Sequence, residues 1–442
     1  MKTLKRTWAE ISLDNLEHNY HALRAHIPQG CKFLGVIKAD AYGHGAVPVS
    51  GTLSELGCEY LAVSNLEEAV QLRRGGIRTP VLILGYTPPE YADTMVFMDL
   101  TQEIHSMDYA RALEERLRGT NYILNVHLKL DTGMGRIGFL AYGGHSELTQ
   151  LRAFSQLTHL RAEGVFTHFS AADSRLADDE AYTETQYARF QAALAELESC
   201  GIRPALRHCA NSAVTILHPE YSLDMVRGGI ALYGCAPDRD CAGLLDLRPV
   251  MTLRTTIAQI RDVAAGTPIS YGRTFTAPHD LRMAVLPVGY ADGLSRSLSG
   301  KARFRLHGVD VVCHDHADVV EREAVVAQGT DVLDDHLVFR HGAGLVHTQR
   351  VHARERLDAA ELVHEGLALR QTHHARHERK ARQQIQPLGD HADDGADRAR
   401  HGDGDFAAEP HIFLDEHHHA ERDDDHADPL DEVLQRAHHL RL

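Results

Sequence analysis

The 442-residue chain has one tryptophan and no Cys-x-x-Cys pair among its seven cysteines. Nor does it have an apolar run near the about 18 residues that a membrane helix needs. Unpaired cysteine spacing indicates neither a disulfide framework nor a structural zinc site, and a reducing cytoplasm fits. The opening MKTLKRTWAEISLDNL has basic residues with no apolar stretch behind them, so it does not read as a secretory signal. Lysine and arginine form no stripe, and the formal charge of −16 argues against a nucleic-acid partner. What is present in quantity is apolar: 43% hydrophobic residues suffice for packed cores over much of the length.

From residue 32 onward, short apolar or β-branched runs alternate with helix-forming stretches. The runs are KFLGVIKA (32–39), EYLAVS (59–64), PVLILG (80–85), TMVFMDL (94–100), YILNVHLKL (122–130), LRAEGVFTHF (160–169), LRHCAN (206–211) and MVRGGIALYG (225–234). Between two of them, Asn65 is placed to cap a helix that Gly75-Gly76 ends. Eight such repeats predict an α/β fold, a (β/α)8 TIM-type barrel over residues 1–240. Lys38, Lys129, His168, Asn211 and Arg227 fall at or just past the C-terminal ends of the runs, the end at which such barrels gather their chemistry.

After about residue 240 the pattern turns to alternation, as in MTLRTTIAQIRDV and LRMAVLPVGYADG, which predicts a mostly β domain over 241–309. Past 309 the composition shifts again: 19 of the 32 histidines fall in 310–442, with no tyrosine or tryptophan. Such a segment lacks the means to build a core and reads as poorly ordered or loosely helical. Metal binding is the functional alternative, but the histidines are scattered rather than set at ligand spacing, and no metal site is expected.

Lys38 closes an apolar run. It could simply snorkel to solvent, or, desolvated, it could act as an amine nucleophile toward a carbonyl. Tyr42, followed by Gly-His-Gly, adds a hydroxyl and backbone able to approach a phosphate closely. The blocks VIKADAYGHG (36–45), HLKLDTGMGRIGF (127–139), THFSAAD (167–173), HCANSA (208–213), VRGGIALYG (226–234), ISYGRTF (269–275) and PVGYADG (287–293) together resemble those of alanine racemases, pyridoxal phosphate enzymes of fold type III, over residues 4–308.

The resemblance implies that Lys38 holds pyridoxal 5′-phosphate as a Schiff base and serves as the base on one face of the substrate α-carbon. Tyr271, reaching the barrel mouth of a second subunit in a head-to-tail homodimer, would be the opposite base. It implies further that Arg136, which also touches substrate, and His168 complete the proton network, and that Arg227 faces the pyridine nitrogen. Tyr42, Asn211, Ser212, Gly228 and Ile230 would then hold the cofactor, and Lys129 would be carbamylated. The expected activity is interconversion of L- and D-alanine for cell-wall supply. A cofactor-binding barrel without racemase activity and a serine or broad-range racemase are the rivals. The family's Gly-Arg-x-Cys/Ser-Met-Asp stretch and late tyrosine have no counterpart after residue 293, so the β domain is expected to be incomplete and residues 310–442 to come from a shifted or rearranged reading frame.

Overall fold

The computed structural model describes residues 6–306, 309–313, 317–322 and 336–339. Strand β1 (Thr7–Ile11) is followed by a helix, Leu13–His26, whose N-terminus Ser12 caps by accepting from Asn15 N–H. Then come β2 (Lys32–Val36), β3 (Tyr60–Val63), β4 (Val81–Ile83), β5 (Leu100–Ile104) and β6 (Leu124–Asp131). The two-residue β7 (Phe139–Leu140) pairs with β6, and β8 (Leu160–Phe166), β9 (Leu206–His208) and β10 (Met225–Gly228) follow.

Eight of these strands pair in parallel in the order β10-β2-β3-β4-β5-β6-β8-β9, with helices between them. The order brings the last strand beside the first, giving a nearly closed barrel. Backbone bonds from Asp224 N–H to the Arg207 carbonyl (3.1 Å) and from Arg227 N–H to the Ala210 carbonyl (3.0 Å) cross the remaining seam. Strands β3, β4 and β5 are buried at every position; β3 and β4 therefore read as short apolar runs rather than alternating ones, whereas β5 buries Thr101, Gln102 and Glu103.

One run is corrected. TMVFMDL, read as a strand, is divided between a helix, Ala92–Phe97, and β5, which starts only at Leu100. The break falls at Asp99, in the left-handed region at φ 51°. A short apolar run does not by itself distinguish a buried helix turn from a strand. The helix over 66–74 follows its signals: Asn65 accepts from Glu68 N–H at its start and Gly75 closes its end.

Beyond the barrel lie β11 (Met251–Thr256), β12 (Gln259–Val263), the small hairpin β13 (Pro268–Ile269) and β14 (Phe275–Thr276), β15 (Leu281–Gly289), β16 (Arg303–Leu306), β17 (Val309–Cys313), β18 (Ala317–Arg322) and β19 (His336–Phe339). They form a mostly β domain whose main sheet has the order β1-β11-β19-β16-β17-β18-β15-β12. Leu286, Val288, Phe304 and Leu306 lead its core.

Two features depart from the sequence reading. The sheet continues past residue 309, and β1 joins it by pairing antiparallel with β11 from Thr7↔Thr255 to Ile11↔Met251. Thr7 Oγ1 adds bonds to Thr255 Oγ1 (2.8 Å) and the Pro287 carbonyl (2.9 Å), so the N-terminal strand ties the two domains. The remainder of the His-rich segment, with its expectation of poor order, lies outside the described residues. Among the described residues no helix is long and apolar enough to cross a membrane.

Candidate active site

Lys38, Tyr42, Lys129, Arg136, His168, Asn211, Ser212, Arg227 and Ile230 line one cavity of about 400 Å³ at the C-terminal end of the barrel strands. Five separate stretches of sequence thus converge on one volume. Gly228 ends β10 immediately before Gly229, which also lines the cavity. Tyr271 does not line it: it sits between β13 and β14 in the second domain and is 80% exposed.

The lysine arrives on a strained turn. After β2 the last ladder bond runs from Ile37 N–H to the Ala62 carbonyl (2.7 Å), and Ala39, Asp40, Ala41 and Tyr42 then all adopt left-handed backbone at φ 53–56°. Each such non-glycine residue costs roughly 1–2 kcal/mol, so surrounding bonds must hold the turn. Glu68 accepts from Ala39 N–H (2.7 Å), Ser64 N–H (2.8 Å) and Ser64 Oγ (3.0 Å), and Asp40 Oδ1 accepts from Ala46 N–H (2.7 Å). His44 Nδ1 bonds the carbonyls of Ala41 and Tyr42, both at 3.0 Å, while its ring packs on Tyr233. Burial holds His44 down to about 4, so it is neutral and donates from Nδ1. Lys38 Nζ then stands 5.9 Å from the centre of the Tyr42 ring.

Where the lysine turn meets Ser212, two hydroxyls border a cradle. Ser212 Oγ accepts from Gly229 N–H (2.9 Å) and Ala231 N–H (3.3 Å), leaving its own proton to donate. A Cβ on Gly229 would lie 3.2 Å from Tyr42 Oη and 3.6 Å from Ser212 Oγ, so glycine keeps open the space these two hydroxyls border. Asn211 has a structural task as well: its Oδ1 caps the helix Ser212–Leu217 by accepting from Val214 N–H (3.0 Å).

The far wall is cationic and buried. Arg227 donates from Nη1 to His208 Nδ1 and the His208 carbonyl, each at 3.2 Å. From Nη2 it reaches the carbonyls of Thr167 and Cys209 at 3.0 Å and His168 Nδ1 at 3.1 Å. Burial lowers its pKa to about 10, which leaves it charged at neutral pH. Burial and the Arg227 charge push His168 well below its ordinary value, so His168 is neutral, accepts at Nδ1 and carries its proton on Nε2.

Lys129 is also buried, its Nζ 4.6 Å over the Phe166 ring. Burial first, then the charges of Arg227 and Arg136, bring it down to about 7. A substantial fraction is therefore free amine near neutrality.

Sequence reading missed Glu68, Phe166, Gly229 and His208. Glu68 had a signal, since it stands three residues after the cap Asn65 in capping-box position. Its carboxylate serves Ser64 and the lysine turn instead of the cap residue's own N–H.

Comparisons with known proteins agree in direction. Residues 11–237 match the family model "Alanine racemase, N-terminal domain", and residues 250–330 match "Alanine racemase, C-terminal domain", which carries the likeness past residue 308. The chain is 42% identical over 340 residues to the alanine racemase of Desulfovibrio desulfuricans, covering 74% of this chain and 88% of that protein. It is 42% identical over 318 residues to that of Desulforamulus reducens, covering 71% and 85%. Among solved structures, the alanine racemase of Clostridium difficile 630 superposes with a TM-score of 0.68 at 35% identity, over 76% of this chain and 87% of that one.

Proposed function

This chain belongs to the alanine racemase family, and from that premise we propose that it interconverts L- and D-alanine with pyridoxal 5′-phosphate, in the cytoplasm, supplying D-alanine for peptidoglycan. The observation that carries the reading is the single cavity that joins an amine, a hydroxyl cradle and a buried guanidinium. The residues fit the cofactor: Lys38 to bind its carbonyl carbon, Tyr42, Ser212 and the backbone at Gly228 and Ile230 to hold its phosphate beside Gly229, Asn211 at the cavity edge, and Arg227 to face the ring nitrogen. When bound, the cofactor supplies an electron-withdrawing ring that acidifies the α-hydrogen of alanine.

Lys38 holds or releases a proton at Nζ on one face of the α-carbon. Arg227 stays charged and donates a hydrogen bond without parting with its proton, because even at about 10 its pKa lies far above neutrality. Facing the ring nitrogen, Arg227 would leave it unprotonated, which would weaken electron withdrawal and disfavour side reactions such as transamination.

The second proton transfer needs a group on the opposite face. Tyr271 is exposed and does not line its own chain's cavity, which supports its use by a second copy in a head-to-tail homodimer. There its phenol would meet the Nε2–H of His168 and the charge of Arg136, which together favour the ionised oxygen. Arg136 also stands at the cavity where the alanine carboxylate would lie. The free-amine fraction of Lys129 can capture carbon dioxide, and the resulting carbamate would steady Arg136 as an anionic partner.

The test uses purified chain with pyridoxal 5′-phosphate and L-alanine. An absorbance band at roughly 420 nm, lost in Lys38→Ala, together with D-alanine appearing by chiral chromatography, is expected. A Lys38-dependent band without D-alanine would replace the racemase with a cofactor-binding barrel.

A further inference from the structure

Behind Arg227 a chain of polar side chains runs down through the barrel interior, away from the cavity. His208 Nδ1 accepts from Arg227 Nη1 (3.2 Å), and His208 Nε2 lies 2.9 Å from His127 Nδ1. His127 Nε2 is buried, makes no hydrogen bond, and stands 4.0 Å from Glu163 Oε2. That carboxylate, midway along β8, accepts from Tyr60 Oη (2.8 Å) at the start of β3, and its side chain is 29% exposed. Both imidazoles are fully buried.

The barrel is shaped around His127. The ladder between β6 and β8 shifts register between Val126 and His127, and His127 then faces Gly164. A Cβ on Gly164 would meet the His127 ring at 2.6 Å. Phe166 stacks on His208 at 4.9 Å and 5°, fixing the plane of that ring.

We propose that His127 and Glu163 are positioning residues for Arg227, acting through His208: His127 accepts the His208 Nε2–H and so holds the ring with Nδ1 turned to Arg227. The tautomers follow from donor counting. Arginine only donates, so His208 must accept at Nδ1 and donate from Nε2, and His127 must then accept at Nδ1 and carry its proton on Nε2. Burial and the Arg227 charge keep His127 neutral, at about 3, and burial keeps His208 neutral as well. The Glu163 carboxylate beside His127 Nε2 favours a proton on that nitrogen. Were His208 to hold its proton on Nδ1, two donors would face each other and the guanidinium would lose one of its anchors. The consequence for the cofactor rests on the proposed function, but the tautomers do not.

The experiment is two-bond proton–nitrogen NMR of the full chain with labelled histidine, at neutral pH and without cofactor, with signals assigned by loss in His127→Gln and His208→Asn. Both His127 and His208 are expected as neutral Nε2–H tautomers. His127→Phe, which removes the acceptor, should loosen the His208 ring from Arg227, moving the His208 Nδ1 resonance toward that of an unbonded ring nitrogen, and shift the absorbance band of bound pyridoxal phosphate; His127→Gln, whose amide oxygen can accept from His208, should restore both. Finding either histidine charged or protonated on Nδ1 in the unmodified chain would overturn the proposal. So would a His127→Phe chain in which the His208 Nδ1 resonance and the pyridoxal phosphate band both stay where they are in the unmodified chain. If that variant fails to fold, the unmodified chain and His127→Gln decide the matter. Failure to bind pyridoxal phosphate with the tautomers as expected would instead refute the cofactor reading.

Discussion

Replacing Ser212 by alanine separates the structural from the ligand-holding part of the cradle. Ser212 is 5% exposed, and its oxygen accepts from Gly229 N–H at 2.9 Å and Ala231 N–H at 3.3 Å. Alanine leaves both donors buried without that partner. An orphaned buried donor costs about 1–3 kcal/mol, and the longer bond falls at the low end, so about 2–3 kcal/mol is expected for the pair. With tenfold per 1.4 kcal/mol, amide hydrogen exchange at Gly229 and Ala231 should accelerate about 30- to 150-fold in the chain without cofactor. The same change removes a donor to a charged phosphate, a bond worth about 1.5–3 kcal/mol. The preference for pyridoxal phosphate over pyridoxal, measured by absorbance titration, should therefore shrink by at least about tenfold. Unchanged exchange at both amides together with an unchanged preference would show that Ser212 neither supports this turn nor meets the phosphate.

Two further predictions follow from buried titratable groups. His44, His127, His168 and His208 are held neutral by burial, His44 down to about 4 and His127 to about 3, whereas in the unfolded chain they titrate near 6.5. Below about 6.5 the unfolded state therefore binds protons that the folded state refuses, so stability falls as pH drops, by up to about 1.4 kcal/mol per unit for each histidine. Urea midpoints by circular dichroism at constant ionic strength should decline steeply from pH 7 to 5; a flat profile would contradict the neutral assignments. Lys129, with its pKa near 7, should form a carbamate at mildly alkaline pH: labelled bicarbonate should give a carbon NMR signal in the unmodified chain and none in Lys129→Ala, and its absence in both would remove the carbamate from the site.

The barrel was legible because buried parallel strands write themselves as apolar runs, as β3 and β4 do. The run at 94–100 failed because a turn of helix at Ala92–Phe97 presents the same composition, and only Asp99 at positive φ marks the break. β1 was not legible as part of the second sheet, since its partner lies some 240 residues away and nothing local names it. At the site, motif residues such as Lys38 and Arg227 could be placed from the family resemblance, whereas Glu68 and His127 act through bonds to residues distant in sequence. A histidine in an apolar strand has no local mark that tells a packed ring from a member of a hydrogen-bonded chain.

The central claim is that two bases from two copies of the chain act on one α-carbon, and mixing two inactive variants tests it most directly. Lys38→Ala and Tyr271→Phe should each lose about 10²- to 10⁴-fold or more of the racemisation rate. Refolded together in equal amounts with pyridoxal phosphate, random pairing makes half of the dimers mixed, and in each mixed dimer one of the two sites carries both intact groups. D-alanine formation should then recover to about one quarter of that of the unmodified chain. Recovery no greater than the sum of the two variants alone would contradict a site shared between subunits.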